Sequence, residues 1–268
     1  MNHLIRAGRV FFAIGLAGIG VQQFQYAEFR PVIVPAWPAG WQSFGPGAYL
    51  GGLALVVAAL IILIKKNAEK VSLLLGGCFL IFFIIFHSVS LIFFNPYSFH
   101  LGSWTDALKE LAFAGGSFVL AGSYVQEFQI SNKKSPLYSF LEKFIPAGTV
   151  FFSTMMVCFG IDHFLYTDFV ATLVPAWIPG HVFWTYFAGI ALIGSGLGMI
   201  LKIKPFLIAW LTGWMLFLWF IVLHIPRAIT DPHMAKGNEV TSVFEALAFS
   251  GIAFVVAGMQ INKRHHEI

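Results

Sequence analysis

Charge is what this sequence has least of. Its 268 residues include 16 Lys and Arg and 12 Asp and Glu, 10% in all, against 58% hydrophobic residues. Soluble domains carry about a quarter charged residues, so this chain cannot cover a water-facing surface. With a mean hydropathy of +0.81, it reads as an integral membrane protein. Cysteine is nearly absent too. Cys78 and Cys158 lie inside apolar runs and no C-x-x-C occurs, which excludes zinc-ribbon, thioredoxin-like and dithiol-relay chemistry. They read as two small buried hydrophobes. There is no P-loop, nucleotide fingerprint or haem motif, and no nucleic-acid face. The pI near 9.1 arises from Lys and Arg in short loops between apolar runs, the pattern that orients membrane helices.

What is present is long apolar runs. A bilayer core about 30 Å thick needs roughly 20 apolar residues per helix. The spacing predicts spans at 8–26, 47–64, 71–94, 105–126, 146–166, 183–201, 205–225 and 240–260. The breaks "KKNAEK" and "KIKP" separate neighbours, and the polar "QEFQISNKKSPLYSFLEK" separates the halves. The N-terminal run continues to about Tyr26 and has an internal counterpart at 147–166, so it reads as an uncleaved first span rather than a signal peptide.

The sequence repeats. "GVQQFQYAEFRPVIVPAWPAG" at 20–40 returns as "GIDHFLYTDFVATLVPAWIPG" at 160–180, "YLGGLALVVAAL" as "YFAGIALIGSGL", and "LAFAGGSFVLAG" as "LAFSGIAFVVAG". The expected fold is all-α, eight transmembrane helices in two four-helix repeats, with a first repeat at 1–128, a linker at 129–144 and a second repeat at 145–268. Four is even, so both repeats enter from one side and are oriented in parallel. Twelve of the 16 Lys and Arg fall on the side holding both termini, and eight of the 12 acidic residues fall on the other. The expected location is a cell inner membrane with both termini cytoplasmic. Small residues in "GLAGIG", "GSGLG" (Gly194 to Gly198) and "AFAGG" are expected to bring helix backbones together.

The two copies differ in charge. The second places Asp162 and His163 at the end of its first span, His224 and Arg227 at the end of its third, and Glu245 in its fourth. Glu245 lies about 7.5 Å along that span by helical rise. The first copy has Gln22, Gln23, His87, Ser90 and Lys109 at the matching positions, with Glu110 beside Lys109. Trp37 and Trp177, in the two "VPAW" segments, suit an interfacial turn or a short re-entrant loop. Pro226 should end or kink its helix. Three readings compete for the second-copy cluster. It is a structural network in which Arg227 holds a carboxylate, with Glu245 the favoured partner. Or it binds a polar-headed or redox ligand such as a quinone, with His as proton carrier. Or His163, His224 and a carboxylate hold a metal, although their spacing on separate spans is not diagnostic; no metal ligand set is assigned.

On "GIDHF", "LVPAWIPG", "LHIPR" and "FEALAFSGIAFVVAG", the chain resembles the DoxX-like membrane protein superfamily, as two tandem units covering nearly its whole length. The resemblance implies a compact four-helix unit in a polytopic bacterial membrane protein. Some members of that superfamily are linked to thiosulfate–quinone oxidoreduction, others to oxidative-stress proteins, and distant relatives include cargo receptors. No catalytic residue carries over. The expectation is an accessory to membrane redox chemistry that handles a quinone or other lipid-soluble ligand. Its partners would be the lipid bilayer and a membrane or periplasmic redox protein. The alternatives are a non-enzymatic scaffold or receptor and a small-solute transporter.

Overall fold

The computed structural model describes residues 3–35, 44–128 and 135–266. Among the described residues there are eight long helices and no strand. They are α1 (His3–Tyr26), α2 (Gly45–Ile64), α3 (Ala68–Phe94), α4 (Thr105–Phe128), α5 (Pro136–Leu165), α6 (His181–Ile200), α7 (Pro205–Thr230) and α8 (Asn238–His266). A short helix, Thr167–Leu173, follows α5.

All but α4 are long and apolar enough to cross a membrane. Leu50, Leu53, Leu60 and Ile64 on α2, and Ile190 and Leu197 on α6, turn outward. So many outward apolar side chains suit lipid and not water. The chain is a multi-pass α-helical membrane protein. The expectation of eight apolar spans is therefore met by seven. Helix α4 carries Asp106, Lys109, Glu110 and Glu127, and from Ala107 to Tyr124 almost every residue is buried. A helix screened from lipid by its neighbours has no need of an apolar exterior.

Two boundaries differ from the sequence reading. The second half begins its helix at Pro136, inside the 129–144 linker, because Pro presets the first helical turn. Leu141 then docks against Leu73, Phe118 and Ala121. Helix α7 does not end at Pro226. A π-helical turn at Phe220–His224 precedes the proline, and the helix resumes to Thr230. The wider turn accommodates the proline ring and its missing donor. A second π turn, Phe83–Ser88, lies in α3.

Helix α1 packs on α8 and α2, α5 on α4 and α6, α3 on α4, α7 on α8, and α4 on α8. Glycines set the closest approaches. A Cβ on Gly251 would lie 2.5 Å from the Gly8 carbonyl oxygen, and one on Gly148 would lie 2.7 Å from that of Gly115. Gly194, expected to pack, faces open space, whereas Gly198 abuts Ile208. Helices α4 and α8 run parallel, with Lys109 beside Glu245 and Gly116 beside Ile252.

We call the end of the bundle reached by Tyr26, His224 and the start of α8 the motif end; the other holds the start of α1. At that other end Arg9 is buried, stacks 3.6 Å over the Tyr124 ring and pairs with Glu127. Tyr124 donates to the Ile62 carbonyl at 2.8 Å. Arg9 thereby ties α1 to α4, and Tyr124 ties α4 to α2.

Candidate functional site

The two copies of the repeated motif fold differently. In the first, the chain leaves α1 and turns at Arg30, whose carbonyl accepts from Ile33 at 2.8 Å and Val34 at 3.1 Å. Arg30, Val32, Ile33 and Val34 are all buried, the last three within the apolar core. In the second, Thr167–Leu173 is helical, and Phe169 and Trp177 are exposed. Tucked-in backbone at this depth is tolerated because protein surrounds it. Trp37 lies outside the described residues. Trp177 is 71% exposed.

Arg30 is the element that sequence reasoning missed. Its Nε donates to Thr241 Oγ1 at 3.1 Å, and its guanidinium lies 5.0 Å over the Tyr26 ring. Burial pulls this guanidinium below its ordinary pKa, opposed by Tyr26, Glu245, Glu28 and Asp106. Thr241 donates in turn to Gln22 Oε1 at 3.0 Å, and Gln22 Nε2 donates to the Gly237 carbonyl at 3.0 Å. Gly237 has φ +78° and its α-carbon faces the Tyr26 hydroxyl so closely that a side chain would collide; glycine is required there. Lys236 closes the same surface by gripping Glu28 through both oxygens at 2.7 Å. The signal available was the single arginine beside the first motif, where the second has Val170.

The charged residues pair otherwise than expected. Arg227 does not reach Glu245. Its Nη2 lies 2.6 Å from Glu239, a full six residues nearer the start of α8, about 9 Å by helical rise. Beyond the π turn, α7 carries Arg227 outward to the depth of Glu239. Glu245 is instead 2.9 Å from Lys109, which also lies 3.4 Å from Asp106. The principal buried pair thus joins the two halves of the chain.

Three second-copy residues remain outside these pairs. His163 shares a 2.7 Å hydrogen bond between Nδ1 and the Phe159 carbonyl, and its ring stacks 6.5 Å from that of Trp219. Trp219 and His224 are five residues apart, the spacing that a π turn places on one face. His224 is within electrostatic reach of Arg227 and Lys109, and its Nδ1 is buried without a partner. Asp162 Oδ1 is likewise buried without a partner. Asp162 and Glu245 are not brought into contact; the structure places them in separate environments.

In the first copy Gln22 is satisfied, but both amide atoms of Gln23, the Nε2 of His87 and both oxygens of Glu110 are buried without partners. His87 hydrogen-bonds the backbone of Val32. Ser90 is buried one turn beyond it. Buried polar groups are nearly always satisfied in folded proteins, and these find no partner within the protein. Among the described residues, no three His, Cys, Asp or Glu side chains are placed to hold a metal ion.

Fold and polar end together define a multi-pass helical membrane protein with a buried ionisable network at one end. No known family model, characterised protein or solved structure matches the chain.

Proposed function

We propose that the chain is a bacterial inner-membrane protein built from two parallel four-helix, DoxX-like units with eight spans. In this reading it serves membrane redox chemistry by holding a quinone or similar polar-headed lipophile at the motif end of the second unit. The two-unit reading is supported by matched packing. The contacts α1–α8, α1–α2 and α7–α8 correspond to α5–α4, α5–α6 and α3–α4. Both π turns carry a histidine, His87 and His224, at matching positions. Lys109 and Glu245, also matching positions, meet on the parallel central helices.

The ligand reading rests on one observation: Asp162 Oδ1 and His224 Nδ1 are buried without partners in the protein, and α5 and α7, which carry them, also bring His163 and Trp219 into a ring stack. A quinone offers two carbonyl acceptors and a flat ring. An imidazole N–H can donate to one carbonyl, the indole supplies a stacking face, and a carboxyl can deliver or collect the proton that accompanies reduction. The rival scaffold reading is favoured by the ion pairs Lys109–Glu245 and Arg227–Glu239, which satisfy much of the cluster internally.

Titration of the detergent-solubilised protein with a short-chain ubiquinone separates the two. Quenching of tryptophan emission should saturate, and Trp219→Phe should remove part of it. His224→Ala should weaken binding by about tenfold, the cost of one lost buried hydrogen bond. Unsaturable quenching that both variants leave unchanged would favour the scaffold. Orientation has its own check. With Cys78 and Cys158 replaced, a cysteine at Ser135 should resist an impermeant thiol reagent in intact cells, and one at His233 should react. The opposite labelling would invert the topology.

A further inference from the structure

We propose that Glu110 is a proton-binding carboxyl inside the membrane, loaded from the motif end through Asp106 with His87 as the neighbouring carrier. The site is in the first half and does not depend on the ligand reading for the second.

Glu110 is 0% exposed and neither carboxylate oxygen has a partner. Among the described residues, no cation is engaged with it. The basic group next to it in sequence, Lys109, turns to Glu245 and Asp106. A carboxylate with no counter-ion and no donor is far costlier inside a bilayer than a neutral carboxyl. The group must therefore carry a proton, and its O–H still needs an acceptor.

Asp106 supplies the connection. It lies four residues before Glu110 on α4, one turn nearer the motif end and on the same face. Its side chain is 42% exposed, so it can exchange protons with water, and it is within electrostatic reach of Glu110. His87 stands on the π turn that packs against α4. Asp106 is also within electrostatic reach of it, and its Nε2 is buried without a partner. Among the described residues, Asp106 on α4 and Cys78 on α3 are within electrostatic reach of Glu110, and His87 on the π turn is within reach of Asp106. Toward α8, Lys109 is held by Glu245. These groups form a series that starts from an exposed carboxyl, with Asp106 within electrostatic reach of both the sealed Glu110 and the imidazole of His87. Intramembrane Asp, Glu and His in such a series form proton relays.

The step balances simply. An O–H bond breaks on Asp106 and one forms on Glu110, directly or through His87 and water. Asp106 then regains a proton from solution. Glu110 gives up its own proton as it takes one from Asp106, so it begins and ends neutral, and no electron moves.

Infrared spectroscopy of the full chain in lipid tests this. The wild type should show a protonated-carboxyl C=O band that is missing in Glu110→Gln. On transfer to D2O that band should shift, and Asp106→Asn should slow the shift by about tenfold or more, the scale of a lost proton carrier. Absence of a Glu110 band would overturn the proposal. So would a band that never exchanges, or one whose exchange ignores Asp106→Asn. Should Glu110→Gln fail to fold, a hydrophobic carbodiimide applied to the wild type provides the second measurement. It reacts with protonated carboxyls in apolar surroundings, so mass spectrometry should find the adduct on Glu110. An unmodified Glu110 beside other labelled carboxyls would contradict the proposal.

Discussion

Replacing Lys109 with Met should destabilise the protein by about 3–5 kcal/mol, the cost of leaving one member of a buried ion pair alone. Lys109 Nζ lies 2.9 Å from Glu245, and the two side chains are 12% and 6% exposed. Both stand on central helices, so neither can swing to water without unpacking the bundle. Glu245→Gln should cost less, because Lys109 keeps Asp106 at 3.4 Å. The double variant Lys109→Met/Glu245→Gln should recover most of the loss, since no unpaired charge then remains. Lys109→Glu/Glu245→Lys should not recover the loss, because the carboxylate at 109 then faces Asp106 and the cation at 245 lies within reach of Arg30. Unfolding in mixed micelles of increasing SDS, followed by tryptophan emission, measures all four. A Lys109→Met variant as stable as the wild type would mean that the pair contributes nothing.

Gly251→Leu should be at least as damaging, with an expected loss of about 3 kcal/mol or more from overpacking. A Cβ there would stand 2.5 Å from the Gly8 carbonyl oxygen and 2.8 Å from the Phe12 nitrogen. Both are backbone atoms of α1, so relief requires separating α1 from α8 along their whole contact. In lipid that separation is not resisted by a hydrophobic force; close packing itself holds the helices. Gly148→Leu should behave alike, its Cβ lying 2.7 Å from the Gly115 oxygen. Gly194→Leu is the control. With nothing within 4 Å of its Cβ, it should leave the SDS midpoint unchanged. Equal effects at Gly251 and Gly194 would show that helix propensity, and not packing, governs these positions.

Apolar run length made the helices legible, because a membrane helix must satisfy its own backbone and show an apolar exterior. That same rule hid the character of α4. Hydropathy reports what faces lipid, and α4 faces other helices, so its Asp106, Lys109, Glu110 and Glu127 dilute the very signal used to find spans. The ionisable residues of the cluster could be picked out because charge is scarce, but their partners could not. Arg227 reads as a partner for Glu245 when depth is estimated along ideal helices. The π turn at Phe220–His224 and the extra turn and a half beyond it move Arg227 to Glu239. Pairing across halves, as in Lys109–Glu245 and Arg30–Thr241, depends on which helices become neighbours, and residue spacing within one helix carries no record of that. Arg30 was counted only as a loop charge because its neighbours, Pro31 to Pro35, read as a turn. Its burial follows from the turn folding inward, which the apolar "VIV" permits in the first copy. The second copy places "TLV" there, and the helix Thr167–Leu173 runs into it.

The most direct measurement is mass spectrometry of small molecules released from the natively purified protein. A quinone or chemically similar lipophile should co-purify in near-stoichiometric amount with the wild type. It should be strongly depleted from an Asp162→Asn/His224→Ala variant that keeps the wild-type SDS midpoint. Equal ligand content in the two proteins, or bulk phospholipid alone in both, would contradict a ligand site at Asp162, His163, Trp219 and His224.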